Sequence, residues 1–164
     1  MLCKDEIRKL IIEQNLIENY IDLEKQLQPN GFDCTLKTIY SLEGEGRIDF
    51  DNIERKLPEV KELKFEDDWI YLDKGYYRAR INEIVNLPKD LAALARPRSS
   101  LIRCGVNVLT AVWDAGYRGR SEVGLAVYRG IWLKKNARIV QLVFFRLSGK
   151  SSGYSGIYQN EGII

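Results

Sequence analysis

Residues 111–128 read AVWDAGYRGRSEVGLAVY, and they put one acid, Asp114, in a glycine-rich turn between two apolar, strand-like runs. That pattern is a hairpin. An aspartate at its mouth can be a turn residue, because Asp tolerates left-handed backbone and hydrogen-bonds its own turn. It can also be a catalytic base, and the hairpin alone leaves both open. The strand signal repeats outward from it. WIYLD (69–73), YYRARINEIV (76–85), AALARPRS (92–99), NVLTAVWD (107–114), SEVGLAVYR (121–129) and ARIVQLVFFRL (137–147) are strand-like runs broken by Gly, Pro and Asn. Short strands at this spacing predict a mainly β fold, a distorted jelly roll or β-barrel with a small helical addition.

The helix is KDEIRKLIIEQ (4–14), where Ile7, Leu10 and Ile11 recur at helical spacing and Asp5 and Glu6 sit where a helix N-terminus favours negative charge. QPNGFDCTLKTIYSL (28–42) reads as a turn at Pro29–Gly31 followed by a strand. The acidic stretch 43–68 reads as loop, and LPKDL (87–91) as a short helical turn. The Gly- and Ser-rich end, 149–164, reads as a flexible segment. At 164 residues the chain is long enough for one domain, 1–164, and too short for two comfortable ones.

A composition of 45% apolar and 29% charged residues is that of a soluble globular protein. The opening MLCKDEIRKL mixes charge into the place where a secretory signal needs an unbroken apolar core, and no run approaches the roughly 20 apolar residues of a membrane span. A cytoplasmic protein with no membrane partner is expected. Cys3, Cys34 and Cys104 are odd in number and far apart, which predicts free thiols. Histidine is absent, which removes Ser-His-Asp triads and His-metal centres and leaves carboxylates, Lys, Tyr or a substrate-carried metal for any chemistry.

The net charge of +2 hides an asymmetry. Residues 1–75 hold 11 basic and 18 acidic side chains, and 76–164 hold 14 and 5, which together make the 25 and 23 of the chain. In the basic half, Arg96, Arg98, Arg103, Arg118 and Arg120 flank two short segments. Nucleic acid would ask for a longer basic face with interleaved aromatics. Two tight clusters suit a small polyphosphate, because guanidinium forks match phosphate oxygens.

Four segments carry a polar residue that a bare core strand would not want: Asp33 in PNGFDCTL, Ser99 and Ser100 between the arginines of ARPRSSLIRCG, Asp114 in AVWDAGYRG, and Gln141 in ARIVQLVFF. Singly, each has a bland reading as turn, loop or strand-edge hydrogen bonding. In this order and at these separations they resemble the motifs of the trimeric dUTPase family and its relative dCTP deaminase. GFDCTL, RPRSSL, AVWDAGYRG and RIVQL stand for the first four motifs, and the N-terminal helix with LPKDL resembles the deaminase and archaeal branch.

The resemblance implies a β jelly-roll homotrimer that takes a deoxynucleoside triphosphate with Mg²⁺, each site built from more than one chain. Asp114 matches the acid that activates the attacking water, and Tyr117 the aromatic that packs against deoxyribose and crowds out a 2'-hydroxyl. Arg98 and Ser99 match phosphate contacts, with Ser100 and Arg103 beside them, and Gln141 matches another contact on the phosphate side. Asp33 matches an acid that supports the metal-bound substrate indirectly, through water. Triphosphate cleavage needs positioned cations, a Mg²⁺ that keeps most of its waters and one carboxylate near a water, and no histidine.

Deaminases of this superfamily carry a glutamate ten residues beyond the motif's aspartate as proton shuttle. Here that position is Gly124, which can neither accept nor deliver a proton. Glu122 would point to the same face about 7 Å away, and otherwise reads as a solvent-facing strand residue. In the hydrolase branch, by resemblance, uracil is read by main-chain groups of the hairpin, which Gly116, Gly119 and Gly124 would let approach the base. The tail departs from the usual fifth motif, with neither Arg nor Phe beyond Arg146; Tyr154, Tyr158 and Gln159 resemble the deaminase-type tail, which implies that 149–164 is a lid closing over the ligand. Lys150 and a neighbouring subunit's arginine are candidates for the terminal phosphate. The expected activity is conversion of dUTP to dUMP and pyrophosphate. A dCTP deaminase or bifunctional enzyme, and a non-catalytic nucleotide-binding regulator, are the rival readings.

Overall fold

The computed structural model describes residues 1–163. Its elements in chain order are α1 (Lys4–Gln14), β1 (Ile17–Glu18), α2 (Leu23–Gln26), β2 (Leu27–Gln28), β3 (Gly31–Glu43), β4 (Glu59–Leu63), β5 (Trp69–Leu72), β6 (Gly75–Ile81), β7 (Ile84–Asn86), β8 (Leu91–Pro97), α3 (Ser99–Arg103), β9 (Val106–Leu109), β10 (Arg118–Gly119), β11 (Glu122–Val127), β12 (Ile131–Lys134) and β13 (Arg138–Arg146). The main sheet runs β8–β13–β3–β6–β11–β9, with β2 and β4 added on β3; β1–β7–β10 and β5–β12 form two smaller sheets. Every pairing is antiparallel.

The expected jelly-roll-like barrel forms because the strands alternate. Leu91, Ala93 and Ala95 of β8 point inward, while Ala92, Leu94 and Arg96 are more accessible. On β13 the alternation breaks once, at Ile139 and Val140, both fully buried, where the ladder to β3 shifts register between Arg138 and Val140. A bulge of this kind turns two successive side chains into one core. Phe32, Leu36, Ile81, Leu125, Leu142 and Phe144 complete the centre with no exposed surface. Each such burial stabilises the fold by about 1.5–3 kcal/mol. The sheet's outer strands are drawn together by a bridge between Ala93 and Trp113, with N–H to O distances of 3.0 Å in both directions. The barrel therefore closes at the residue just before Asp114.

α1 has the predicted bounds. Its Ile7, Leu10 and Ile11 are buried, Glu6 accepts from the Cys3 N–H at 3.3 Å, and Asn15 ends it in the left-handed region at φ 53°. Such a residue caps the last turn with little strain. The three cysteines are unpaired, and among the described residues no helix is long and apolar enough to cross a membrane.

Four local expectations need correction. Residues 43–68 are not simply loop: β4 pairs with the end of β3, Arg47 bridges Lys56, and the result is a projecting arm with Ile48, Phe50 and Ile53 exposed. LPKDL is a non-helical turn closed by Leu91 N–H to Pro88 O at 3.2 Å, since Leu91 is already committed to β8. The Arg-Ser-Ser loop is the start of α3, with Leu101 N–H and Ile102 N–H returning to Arg98 O. YYRARINEIV is two strands, broken at Asn82–Glu83.

Candidate active site

Asp114 owes its position to a tight turn. The Tyr117 N–H donates to Asp114 O at 3.1 Å, and Gly116 between them has φ 83°. A type II turn demands that left-handed value at its third residue, and glycine meets it without strain. Leu87 fixes the turn from outside, donating to Tyr117 O at 2.8 Å and accepting from Gly116 N–H at 3.1 Å. The hairpin continues into β10, whose Arg118 and Gly119 pair with Asn86 and Val85 of β7.

The turn opens onto a cavity of about 540 Å³. Asp114 lines it, with Trp113, Tyr117, Gly124, Tyr154 and Tyr158. Among the described residues no hydrogen bond or ion pair engages the exposed Asp114 carboxylate. Behind it runs a directed hydrogen-bond chain. The Trp113 indole donates to Ser121 Oγ at 2.7 Å, and the Tyr117 hydroxyl donates to Glu161 Oε1 at 2.8 Å. Each hydroxyl has one proton, so the 2.9 Å contact between Ser121 and Tyr117 has Ser121 as donor. Burial, the main cause, pushes the Tyr117 phenol far above its ordinary value, with Glu161 acting in the same direction. Tyr117 is a protonated wall of the cavity, not a base.

The terminal segment supplies the other side. Tyr154 N–H donates to Ala115 O at 2.8 Å and its ring meets Tyr117 edge-on at 5.6 Å. Gln159 grips the hairpin with both ends of its amide, accepting from Arg118 N–H and donating to Gly116 O, each at 3.0 Å. Asn160 N–H reaches Arg118 O at 2.7 Å and Arg120 N–H reaches Glu161 O at 2.8 Å. The lid expected over 149–164 thus lies across the hairpin through 163; residue 164 falls outside the described residues.

Glu122 is not the solvent-facing residue expected. It is half-buried on the cavity wall, where Arg78 Nε meets its Oε2 at 2.7 Å and Arg80 meets Oε1 at 2.6 and 3.1 Å. Both oxygens are committed to guanidinium donors because the ladder pairs Glu122 with Arg80 and Gly124 with Arg78.

The phosphate-side candidates gather elsewhere. Arg96, Gln141 and Asp33 form one cross-strand row over β8, β13 and β3. Asp33 is almost fully buried, and its Oδ2 takes Arg98 at 3.0 Å and Arg138 at 3.3 Å. Burial holds its carboxyl above the ordinary value, while the two arginines and Gln141 pull it down. Ser99, Ser100 and Arg103 of α3 are exposed next to this row. None of these residues lines the Asp114 cavity. One chain therefore carries two separate clusters, one built on the hairpin and tail, the other on Asp33, Arg98, α3 and Gln141.

Sequence reading missed Glu83, although an acid inside YYRARINEIV meets the criterion that singled out Gln141. Glu83 has no exposed surface and accepts from Gln26 Nε2 at 2.6 Å, Thr35 Oγ1 at 2.6 Å and Thr35 N–H at 2.9 Å. It holds the break between β6 and β7, where Asn82 O accepts the Arg120 guanidinium. No group of three or more Cys, Asp and Glu that could hold a metal occurs among the described residues. The exposed Asp114 carboxylate is a hard oxygen donor of the kind a hydrated Mg²⁺ accepts.

Comparison with known proteins adds a family. The sequence model of the dCTP deaminase-like family matches residues 1–147. A probable deoxyuridine 5'-triphosphate nucleotidohydrolase of Archaeoglobus fulgidus is 62% identical over 165 residues, covering 99% of this chain and 98% of its own. The deoxyuridine 5'-triphosphate nucleotidohydrolase of Methanocaldococcus jannaschii is 40% identical over 154 residues, 92% of this chain and 99% of its own. The 2'-deoxycytidine 5'-triphosphate deaminase of Agrobacterium tumefaciens shares the fold, with TM-score 0.67 and 23% identity over 90% of this chain. This chain spans about half the length of that deaminase, 48%.

Proposed function

The chain belongs to the dCTP deaminase-like family, and we propose that within it this protein is a dUTP diphosphatase, a single domain over 1–164 that hydrolyses dUTP to dUMP and pyrophosphate. The nucleotidohydrolase names of relatives that match nearly end to end support the activity. The observation that carries the chemistry is the free Asp114 carboxylate at the cavity mouth, with Gly124 where a deaminase would need its glutamate. Asp114 accepts a proton from a water, the water oxygen bonds to the α-phosphorus, and the bond to the bridging oxygen of the β-phosphate breaks to release pyrophosphate. The Tyr117 ring, held through its hydroxyl, gives deoxyribose a fixed wall with no room for a 2'-hydroxyl. Main-chain groups of the hairpin at Gly116, Gly119 and Gly124 read the base.

The phosphates are taken by the second cluster. Asp33 orients Arg98 by its buried ion pair and thereby serves the metal-bound substrate indirectly; Ser99, Ser100, Arg103 and Gln141 add donors around it. A Mg²⁺ carried by the triphosphate would supply charge neutralisation for the leaving pyrophosphate. Because the two clusters of one chain do not share a cavity, the working site joins the hairpin of one subunit to the Arg98 face of a neighbour in a homotrimer, and the tail residues Tyr154, Tyr158 and Gln159 close it. Lys150 or a neighbouring arginine meets the terminal phosphate.

The test is Asp114→Asn, with pyrophosphate, ammonia and nucleotide products assayed from dUTP and dCTP. Turnover of dUTP should fall at least about 100-fold, the usual contribution of a positioned base, with nucleotide binding retained and no ammonia from either protein. A variant of near-wild-type activity would overturn the assignment of the base. Ammonia from dCTP would favour the deaminase.

A further inference from the structure

Gly124 needs a reason to be glycine. Its backbone is not in the left-handed region, so no turn geometry requires it. It lies inside β11, where glycine weakens a strand. The reason is space: a β-carbon on Gly124 would stand 2.2 Å from the hydroxyl oxygen of Tyr76, 2.8 Å from Cζ and 3.0 Å from Cε2. Tyr76 is set opposite Ala126 in the ladder between β6 and β11, and the tip of its ring leans two residues back over Gly124. The phenol lines the same cavity as Asp114 and Tyr117, and its hydroxyl has no hydrogen-bond partner among the described residues. An aromatic seated on backbone, with an unused donor at its tip, is a ready contact for a planar polar ring.

We propose that Tyr76, seated on Gly124, is a specificity-determining residue that binds the base of the nucleotide, its hydroxyl donating to a ring carbonyl oxygen. This rests on the dUTPase reading of the cavity and extends it. Uracil presents a carbonyl acceptor where cytosine presents an amino donor, and a phenol donates more readily than it accepts, so the contact favours uracil. Gly124 then acts by giving the phenol its seat.

The experiment is equilibrium binding of dUMP and dCMP to wild type, Tyr76→Phe, Gly124→Ala and the double variant, with dUTP kinetics in parallel and thermal melts to verify folding. Binding is read without turnover, so an inactive wild type would sink the diphosphatase reading while the binding arm still judges Tyr76. Loss of one neutral hydrogen bond should weaken dUMP about 5- to 10-fold in Tyr76→Phe and leave dCMP within about twofold. In the kinetics KM for dUTP should rise by the same factor with kcat within about twofold. A methyl at 124 moves an exposed side-chain tip and not backbone, so Gly124→Ala should melt like wild type yet bind dUMP as poorly as Tyr76→Phe. The double variant should be no worse than Gly124→Ala alone. An unchanged ratio of dUMP to dCMP affinity in Tyr76→Phe would overturn the proposal. So would fully multiplicative losses in the double variant, which would mean that Gly124 acts without the phenol.

Discussion

Glu83→Gln keeps the shape of a buried side chain and changes one hydrogen-bonding atom. The neighbours leave no freedom to absorb that change. Gln26 accepts at its own Oε1 from Ile21 N–H at 2.7 Å and Asp22 N–H at 2.9 Å, so its Nε2 must face Asp33 O and Glu83 Oε1. The Thr35 N–H is fixed on Glu83 Oε2. The carboxyl group satisfies this cage by accepting at both oxygens, Oε1 from Gln26 Nε2 and Thr35 Oγ1 and Oε2 from Thr35 N–H. Burial raises its pKa against the hydrogen bonds from Thr35 and Gln26 that lower it. A glutamine cannot do the same: with its oxygen toward Thr35 N–H, its NH₂ meets the Gln26 NH₂ at the 2.6 Å now spanned by a hydrogen bond. One buried hydrogen bond is lost and one donor is stranded, at a cost of about 1–3 kcal/mol. At about 2–4 °C per kcal/mol for a chain of this size, that lowers Tm by about 2–12 °C, read by circular dichroism. The pH dependence has a sign. A carboxyl whose folded pKa is raised contributes its stability fully below the unfolded value and loses it as pH climbs to the folded one. Glu83→Gln lacks that slope, so its deficit should be larger near the ordinary carboxyl pKa than near neutrality. A melt equal to wild type within about 0.5 kcal/mol, or a deficit that grows with pH, would refute the cage.

Two further outcomes test the tail and the assembly. Burial raises Glu161 where it receives the Tyr117 hydroxyl, with Glu122 acting in the same direction and Arg80 and Arg78 against it; by the same sign the docked tail should resist limited proteolysis better in mild acid than above neutrality, and Glu161→Gln should flatten the profile, whereas a steeper one counts against the contact. If each site joins Asp114 of one chain to Arg98 of another, unfolding and refolding an equal mixture of the inactive Asp114→Asn and Arg98→Ala variants should restore activity to about a quarter of the sites, and recovery no greater than the sum of the parents means that one chain supplies both groups.

Local periodicity made much of the fold legible. α1 followed from Ile7, Leu10 and Ile11, and β8 and β11 from their runs, because those patterns record which face meets the core. The break at Asn82–Glu83 was not legible, since its cause is Thr35 and Gln26, 48 and 57 residues away from Glu83. The projecting arm was missed for another reason: its residues carry no buried face and therefore no period. α3 escaped because five residues are too few for a helical repeat to register. Asp114, Tyr117 and Gln141 were singled out by order and spacing against a known family, but the neighbours that each meets are a product of register. Gln141 stands beside Asp33 because β13 pairs with β3 at that residue. The fate of Glu122 was invisible for the same reason, its arginines lying 42 and 44 residues upstream on β6.

The assignment of Asp114 can also be reached by elimination inside the cavity. Three carboxylates line it: Asp114, Glu122 and Glu161. A general base needs an oxygen free to take a proton from water. Glu122 has both oxygens held by Arg78 and Arg80, and protonating either would give up a charge-assisted hydrogen bond. Glu161 is engaged by the Tyr117 hydroxyl, so taking a proton would cost the ring its support as well. Asp114 alone is exposed, unpaired and carried on a turn whose Gly116 is fixed at both its N–H and its C=O. The two engaged acids build the cavity and the free one is left for the base we propose, so loss of Asp114 should remove turnover without loosening the walls.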